Sequence, residues 1–291
     1  MTTPASLLKA RHLRPKKSLG QNFLCDSGTA ETIIRRSRLT GSETILEVGA
    51  GALTVAAARQ AARVYAVETD GRLIEILTEN LRAAGLDNVT IIHADFMDLD
   101  LAQLETAGAP LTVIGNLPYY LSSQILVRLI THRQQLDRAV LMFQQELADR
   151  LTAVPGGRDF GRLSVMLRYC ATVSPLLRIR RQMFFPRPAV DSQVIEIRFR
   201  RPETPPGCPD ALLFQIIKAA FARRRKTVKN ALSGSGLGLS PAAWAALLER
   251  SGISPAARAE TLDAPDYIAI CRYYQQTQEE QYPAGKRRRA P

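Results

Sequence analysis

Short apolar runs recur along the first two hundred residues, and each is followed by a stretch with helical spacing. Thr44-Ile45-Leu46-Glu47-Val48 leads into Gly49-Ala50-Gly51, then an Ala-rich segment over 52 to 62, then Val64-Tyr65-Ala66-Val67. Three more runs follow, Val89-Thr90-Ile91-Ile92, Leu111-Thr112-Val113-Ile114 and Ala139-Val140-Leu141-Met142-Phe143. Helical stretches separate them, from about Arg72 to Ala84 and again after Leu121. Runs of this length without polar alternation suit strands covered on both faces, so the pattern predicts βα units and an α/β fold with a Rossmann-like, doubly wound, mostly parallel sheet. A first helix is predicted after Asp26. Val194-Ile195-Glu196-Ile197-Arg198-Phe199 alternates with period two and is predicted to close the sheet.

The pattern changes after residue 200. Arg201 to Pro209 holds four prolines in nine residues, which no regular element can cross. Beyond it the spacing is helical, from Ala211 to about Ala231 and from Pro241 to Arg250, and predicts a small helical C-terminal domain. The expected organisation is a flexible basic arm over 1–17, an α/β domain over 18–200, a linker over 201–210, a helical domain over 211–280 and a basic tail over 281–291.

Charge sharpens this picture. The chain carries a formal net charge of +12. Residues 1 to 25 hold five basic groups and no acid, residues 201 to 291 hold fourteen basic and eight acidic, and the stretch between them is close to neutral at 20 against 19. A neutral body with cationic ends suits a polyanionic partner, because Lys and Arg release counterions from phosphates. The four cysteines lie far apart and form no CxxC pair, and the three histidines show no ligand spacing. Neither a zinc site nor a His-based triad is expected, and no metal. Without an apolar run of membrane length or a signal-peptide core, a cytoplasmic protein is expected.

Three strand ends carry candidate chemistry. Gly49 to Gly51 lies where a strand meets a helix, and glycines there let backbone amides approach a carboxylate or phosphate. Glu68, nineteen residues after Gly49, ends the next strand, where an acid can accept ribose hydroxyls. Asp95 follows the third strand and can receive an adenine amine. Together they predict a nucleoside cofactor, with a nicotinamide dinucleotide still possible at this point. The fourth strand ends in Gly115-Asn116-Leu117-Pro118-Tyr119. The exocyclic nitrogen of adenine is a poor nucleophile because its lone pair is delocalised into the ring. Acceptors on the Asn116 side chain and the main chain near Leu117 can bind its two N–H groups, Pro118 can stiffen the loop, and the Tyr119 ring can stack on an extruded base.

On these residues the chain resembles the KsgA family of ribosomal RNA adenine dimethyltransferases, also called RsmA, from about Arg14 to about Leu262. Lys17-Ser18-Leu19-Gly20-Gln21-Asn22-Phe23-Leu24 matches the family's N-terminal signature. The resemblance implies that Asn22 and Leu24 contact the methionine part of S-adenosyl-L-methionine, with Gly49, Glu68, Asp95 and Asn116 at the remaining cofactor positions. It also implies a class I methyltransferase fold. Phe184-Phe185-Pro186-Arg187-Pro188-Ala189-Val190-Asp191-Ser192 is similar to the family's FxPxPxVxS motif, which would place Phe184 against the target adenine opposite Tyr119. Phe221 to Leu232 resembles the family's basic helix, in which Arg223, Arg224, Arg225, Lys226 and Lys229 would grip RNA backbone.

The implied reaction is dimethylation of N6 on two adjacent adenosines in the 3′-terminal hairpin of 16S rRNA, in the small subunit or its precursor, with no protein partner needed for the chemistry. One departure stands out. Family members usually carry two further residues between Gly-x-Gly and Ala-Leu-Thr, whereas Gly51 here runs directly into Ala52-Leu53-Thr54. The shorter loop keeps open a non-catalytic ribosome-assembly factor, and the shared catalytic domain keeps open an Erm-type 23S rRNA methyltransferase.

Overall fold

The computed structural model describes residues 15, 20–106, 108–200, 208–223 and 225–281. Most of the basic arm, Lys17 to Leu19 of the N-terminal signature, Arg224, most of the Pro-rich linker and the basic tail lie outside the described residues.

The chain forms two units. One runs up to Thr152 and resumes over Ala171–Arg200, and the other comprises Ala153–Cys170 and the residues from 201 onward. The expected 18–200 catalytic domain is therefore interrupted, because residues 153–170 belong to the C-terminal unit.

The first unit is built on a seven-stranded sheet with flanking helices. In chain order its elements are β1 (Phe23–Leu24), α1 (Ser27–Arg36), β2 (Thr44–Val48), α2 (Ala52–Ala58), β3 (Arg63–Glu68), α3 (Gly71–Ala84), β4 (Val89–His93), β5 (Leu111–Asn116), α4 (Ser122–Thr131), β6 (Leu136–Gln144) and α5 (Gln145–Thr152). After the excursion into the other unit come β7 (Ala171–Ile179), β8 (Phe184–Phe185) and β9 (Ser192–Phe199). The strand order is β4-β3-β2-β5-β6-β9-β7, and β1 pairs with β8 in a separate ribbon. Strands β2 to β6 are parallel, and β9 lies antiparallel between β6 and β7. All five residues of β2 are buried, as a central strand with both faces covered requires. The doubly wound, mostly parallel fold expected from the sequence is the one observed.

Local signals set the helix starts. Asp26 caps α1 by accepting from the amides of Gly28 and Thr29, and Asp70 caps α3 through the Arg72 amide. Gly85 ends α3 at φ 64°, a left-handed conformation that glycine adopts without strain.

The chain winds outward from β2 through β3 to β4, then crosses back to place β5 on the other side of β2. Ligands in such sheets bind beyond the carboxyl ends of the strands at this switch point. Gly115 marks how tightly β2 and β5 meet there. A Cβ at this position would stand 2.9 Å from the Val48 carbonyl oxygen and 3.1 Å from Leu117 Cδ2. Because the first of these atoms is main chain, Gly115→Ala must push the two strands apart. We expect it to cost roughly 1–3 kcal/mol, read as a lower denaturant midpoint at unchanged slope. An unchanged midpoint would refute the tight-approach argument.

The second unit is helical, as expected: α6 (Arg162–Cys170), α7 (Asp210–Ala220), α8 (Val228–Ser233), α9 (Pro241–Arg250) and α10 (Ala264–Gln281). Trp244, Tyr267 and Ile270 are buried at its centre. The Tyr169 hydroxyl donates to Asp210 at 2.6 Å, and Arg168 forms a two-pronged pair with Asp263 at 2.7 and 2.6 Å, so α6 is tied to the C-terminal helices. The predicted helix from Ala211 to Ala231 is two helices. Thr227, whose side chain accepts from the Asn230 amide, starts α8 afresh after a turn. No helix among the described residues is long and apolar enough to cross a membrane.

Candidate active site

A cavity of about 370 Å³ opens at the switch point of the sheet. Its walls come from the segment around β1, the turn after β2, and the ends of β3, β4 and β5. Every expected cofactor residue lines it: Asn22, Leu24, Gly49, Glu68, Asp95 and Asn116. Leu117 and Pro118 line it too.

The turn after β2 is set by Gly49, which sits at φ 84° and bonds back to the Val67 carbonyl. Helix α2 begins directly at Ala52, and Thr54 closes the turn by accepting from the Gly51 amide at 3.0 Å. The shortened loop thus still frames a cavity. Nothing stands within 4 Å of a Cβ built on Gly51, so that side of the turn is open.

Glu68 is held by its own surroundings. Its carboxylate accepts from the amides of Ala50 at 3.1 Å, and of Thr69 and Asp70 at 2.8 Å each. Burial still pushes its carboxyl above the usual range, against those amide hydrogen bonds. These contacts hold the side chain between the turn after β2 and the turn that leads from β3 into α3. Asp95 is exposed and accepts from the Met97 amide at 2.8 Å.

Asn116 shows how the N-terminal signature and the fourth strand cooperate. Its Nδ2 donates to the Asn22 carbonyl at 2.7 Å, which leaves Oδ1 as the free acceptor of that amide. Asn22 in turn donates to the Gly20 carbonyl at 3.1 Å. The Pro118 carbonyl is already taken, by the Leu121 amide and the Ser122 hydroxyl, each at 3.0 Å. Of the main-chain acceptors in this turn, Leu117 is therefore the better placed for a ligand.

The two expected aromatic residues are placed differently. Tyr119 does not line the cavity. It is half-buried, and its hydroxyl lies 3.0 Å from Ser192 Oγ, which joins the Asn116–Tyr119 turn to the end of the 184–192 segment. Phe184 is buried at 3% exposure within an apolar cluster that includes Leu24 and Ile179, and so is not available to a base. The reason is strand alternation: β8 pairs antiparallel with β1, setting Leu24 against Phe184 and Phe23 against Phe185, so one phenylalanine turns inward and the next outward.

The expected RNA-gripping residues also fall differently. Arg223, Arg225 and Lys226 are exposed in the turn before α8, and Lys229 is half-buried on it, while Arg224 lies outside the described residues. They form a basic turn with a short helix, not one continuous basic helix.

Sequence reasoning did not assign Glu47, Gln21, Phe96, Met97 or Tyr120, all of which line the cavity. Gln21 reaches Asp70 at 3.2 Å. The Arg72 guanidinium holds the Asp70 carboxyl well below the usual range. Glu47 is the most telling. It is 1% exposed, its Oε2 has no hydrogen-bond partner, and burial pushes its carboxyl up to about 8, helped by the Glu68 charge and opposed by hydrogen bonding from Thr54. An acid inside an otherwise apolar strand was the available signal.

A cavity of this size, with two carboxylates, an open glycine turn and an orphaned buried acceptor, fits a cationic nucleoside such as S-adenosylmethionine. A family model described as ribosomal RNA adenine dimethylase matches residues 12–276. The chain belongs to the ribosomal RNA adenine dimethylase family. It is accordingly an rRNA adenine dimethyltransferase, of a family that draws its methyl groups from S-adenosylmethionine.

Similar proteins agree. A ribosomal RNA small subunit methyltransferase A from Desulforapulum autotrophicum is 45% identical over 272 residues, covering 93% of this chain and 95% of the relative. Another from Pelotomaculum thermopropionicum is 40% identical over 275 residues, covering 91% and 92%. Among solved structures, a dimethyladenosine transferase from Plasmodium falciparum aligns with a TM-score of 0.73 at 23% identity, over 85% of this chain and 95% of its own. The 23S rRNA methyltransferase ErmE aligns at 0.61 and 24%, over 87% and 100%. These structures share the class I methyltransferase fold with this member of the dimethylase family.

Proposed function

We propose that this chain dimethylates N6 of two adjacent adenosines in the 3′-terminal hairpin of 16S rRNA, in the cytoplasm, as a step in small-subunit biogenesis. The observation that carries this reading is the convergence of Glu68, Asp95 and Asn116, from the ends of three successive strands, on one cavity. The names of the 45% and 40% identical relatives favour the small subunit over an Erm-type large-subunit target.

In this reading Glu68 holds the ribose hydroxyls and Asp95 the adenine amine of the cofactor. The glycine turn takes its carboxylate end, with Asn22 and Leu24 along the methionine chain. S-adenosylmethionine, when bound, supplies an electrophilic methyl group on a sulfonium. Asn116 Oδ1 and the Leu117 carbonyl then accept the two N–H groups of the target amine and turn its lone pair toward that methyl. Pro118 keeps the turn rigid, and Tyr119 stacks on the extruded base, its hydroxyl steadied by Ser192. No charged base is needed, because the amine sheds its proton after the carbon–nitrogen bond has formed. Arg223, Arg225, Lys226 and Lys229, with Arg224, neutralise RNA phosphates.

Incubation with labelled S-adenosylmethionine and unmethylated small subunits, followed by nucleoside analysis, is expected to yield N6,N6-dimethyladenosine in the small-subunit RNA. Label confined to large subunits would replace this reading with the Erm-type one. Binding to small subunits without label would make the chain a non-catalytic assembly factor.

A further inference from the structure

We infer that the segment from Arg180 to Val190 is a second RNA-binding surface on the catalytic unit, where Phe185 stacks on a nucleotide flanking the target adenosine and Arg180 and Arg187 neutralise its phosphates. The inference rests on the rRNA substrate proposed above and adds contacts assigned neither to the cavity nor to the basic turn before α8.

Three observations meet in this segment. The first is charge. From Leu176 to Val190 the chain has four arginines and no acid. The carboxylate that follows directly in sequence, Asp191, is already engaged by the Arg178 guanidinium at 3.0 Å and the Arg181 amide at 3.0 Å. Arg181 spends its own guanidinium on the Ala189 carbonyl at 2.9 Å. Arg180 and Arg187 are exposed and make no ion pair among the described residues. Their charges face solvent uncompensated, as a phosphate-binding surface requires.

The second is exposure of apolar area. Among the described residues only four large hydrophobic side chains are exposed, and Phe185 at 39% and Val190 at 42% both belong to this loop. A single exposed ring needs no explanation, but a ring between unpaired arginines offers what single-stranded nucleic acid recognises: a face for stacking and cations for the backbone.

The third is position. The loop is fixed to the cavity at both ends. Phe185 pairs with Phe23, which lines the cavity, and Ser192 lies 3.0 Å from the hydroxyl of Tyr119, which follows the cavity residue Pro118. A strand whose adenine has been turned out toward Asn116 must have its neighbouring nucleotides close by. Extrusion unstacks those neighbours, leaving π-faces that Phe185 can cover.

The test uses the full chain, a short hairpin RNA carrying two adjacent loop adenosines, and the small subunit. Phe185→Ala is expected to weaken hairpin binding by roughly 5- to 100-fold. The double variant Arg180→Gln with Arg187→Gln is expected to flatten the log–log salt dependence of binding by about 0.7 to 0.9 per arginine removed. Affinity for S-adenosylmethionine, measured by calorimetry, should stay at the wild-type value in both, and thermal melts verify that both fold. Arg82→Gln, at an exposed site on α3, controls for lost charge and should leave the hairpin affinity unaltered. Wild-type affinity and salt slope in the loop variants would overturn the inference. Loss of affinity for the small subunit with full affinity for the hairpin would also overturn it, and give the surface to a ribosomal protein. A wild-type chain that methylates no RNA would instead overturn the functional reading beneath it.

Discussion

Asn116→Ala is expected to lower the rate of methyl transfer by about 10²–10³-fold while the RNA affinity stays near wild type. The side chain has one amide. Its nitrogen is committed to the Asn22 carbonyl at 2.7 Å, so the carbonyl oxygen is the part left to meet the substrate amine. Removing it deletes an acceptor positioned for the moment when the nitrogen becomes tetrahedral, and such preorganised contacts act mainly on kcat. Asn116→Asp separates the two halves of the role. It restores an oxygen toward the amine but loses the donor to Asn22, so a partial recovery is expected, with a larger defect in cofactor affinity. Single-turnover methylation and calorimetry distinguish these effects. A rise in KM for RNA at unchanged kcat in Asn116→Ala would contradict the assignment.

Glu47→Gln is expected to make stability less dependent on pH. Burial holds the Glu47 carboxyl at about 8 in the folded chain, against an ordinary value near 4.5. Between these limits the folded state keeps a proton that the unfolded state has lost, so stability falls as pH rises through that window, by about 1.4 kcal/mol for each pH unit. Glu68, also raised by burial, adds a slope of the same sign in both proteins. Glutamine has the shape of the neutral acid and does not ionise. Variant and wild type should melt at similar temperatures near pH 5 and diverge steadily up to pH 8, the variant becoming the more stable. A gap that does not widen with pH would mean that Glu47 is not held neutral.

Much of this fold was readable because a buried parallel strand leaves a compact apolar run. The runs at 44–48 and 111–114 mark two such strands within two residues of their ends, and the run at 89–92 marks β4, an edge strand with no fully buried residue. What was missed has identifiable causes. Strand β7 carries Pro175, a register shift follows it, and as the last strand of the sheet it has an exposed pattern, so neither periodicity nor propensity marks it. Strands β1 and β8 are two residues each, too short for any periodic signal, yet their register decides which phenylalanine is buried. The site was legible to the extent that chemistry sits at strand ends. Glu68, Asp95 and Asn116 could be placed by counting from runs, whereas the hydrogen bond from Asn116 to Asn22 spans ninety-four positions and has no local trace.

The order of strands bears on how this protein can emerge from a ribosome. Strand β9, the last to be made, lies between β6 and β7, and α6 of the other unit is synthesised before either β7 or β9. Until residue 199 has cleared the exit tunnel, the growing sheet presents the unpaired edge of β6, whose residues from Ala139 to Phe143 are all apolar. Stopping the chain at Arg200 would complete the sheet but strand α6, whose Val165, Met166 and Leu167 are buried in a unit assembled mainly from residues not yet made. A nascent chain therefore carries sticky surface through most of its synthesis, and the shortest piece expected to stay in solution unaided is nearly the whole protein.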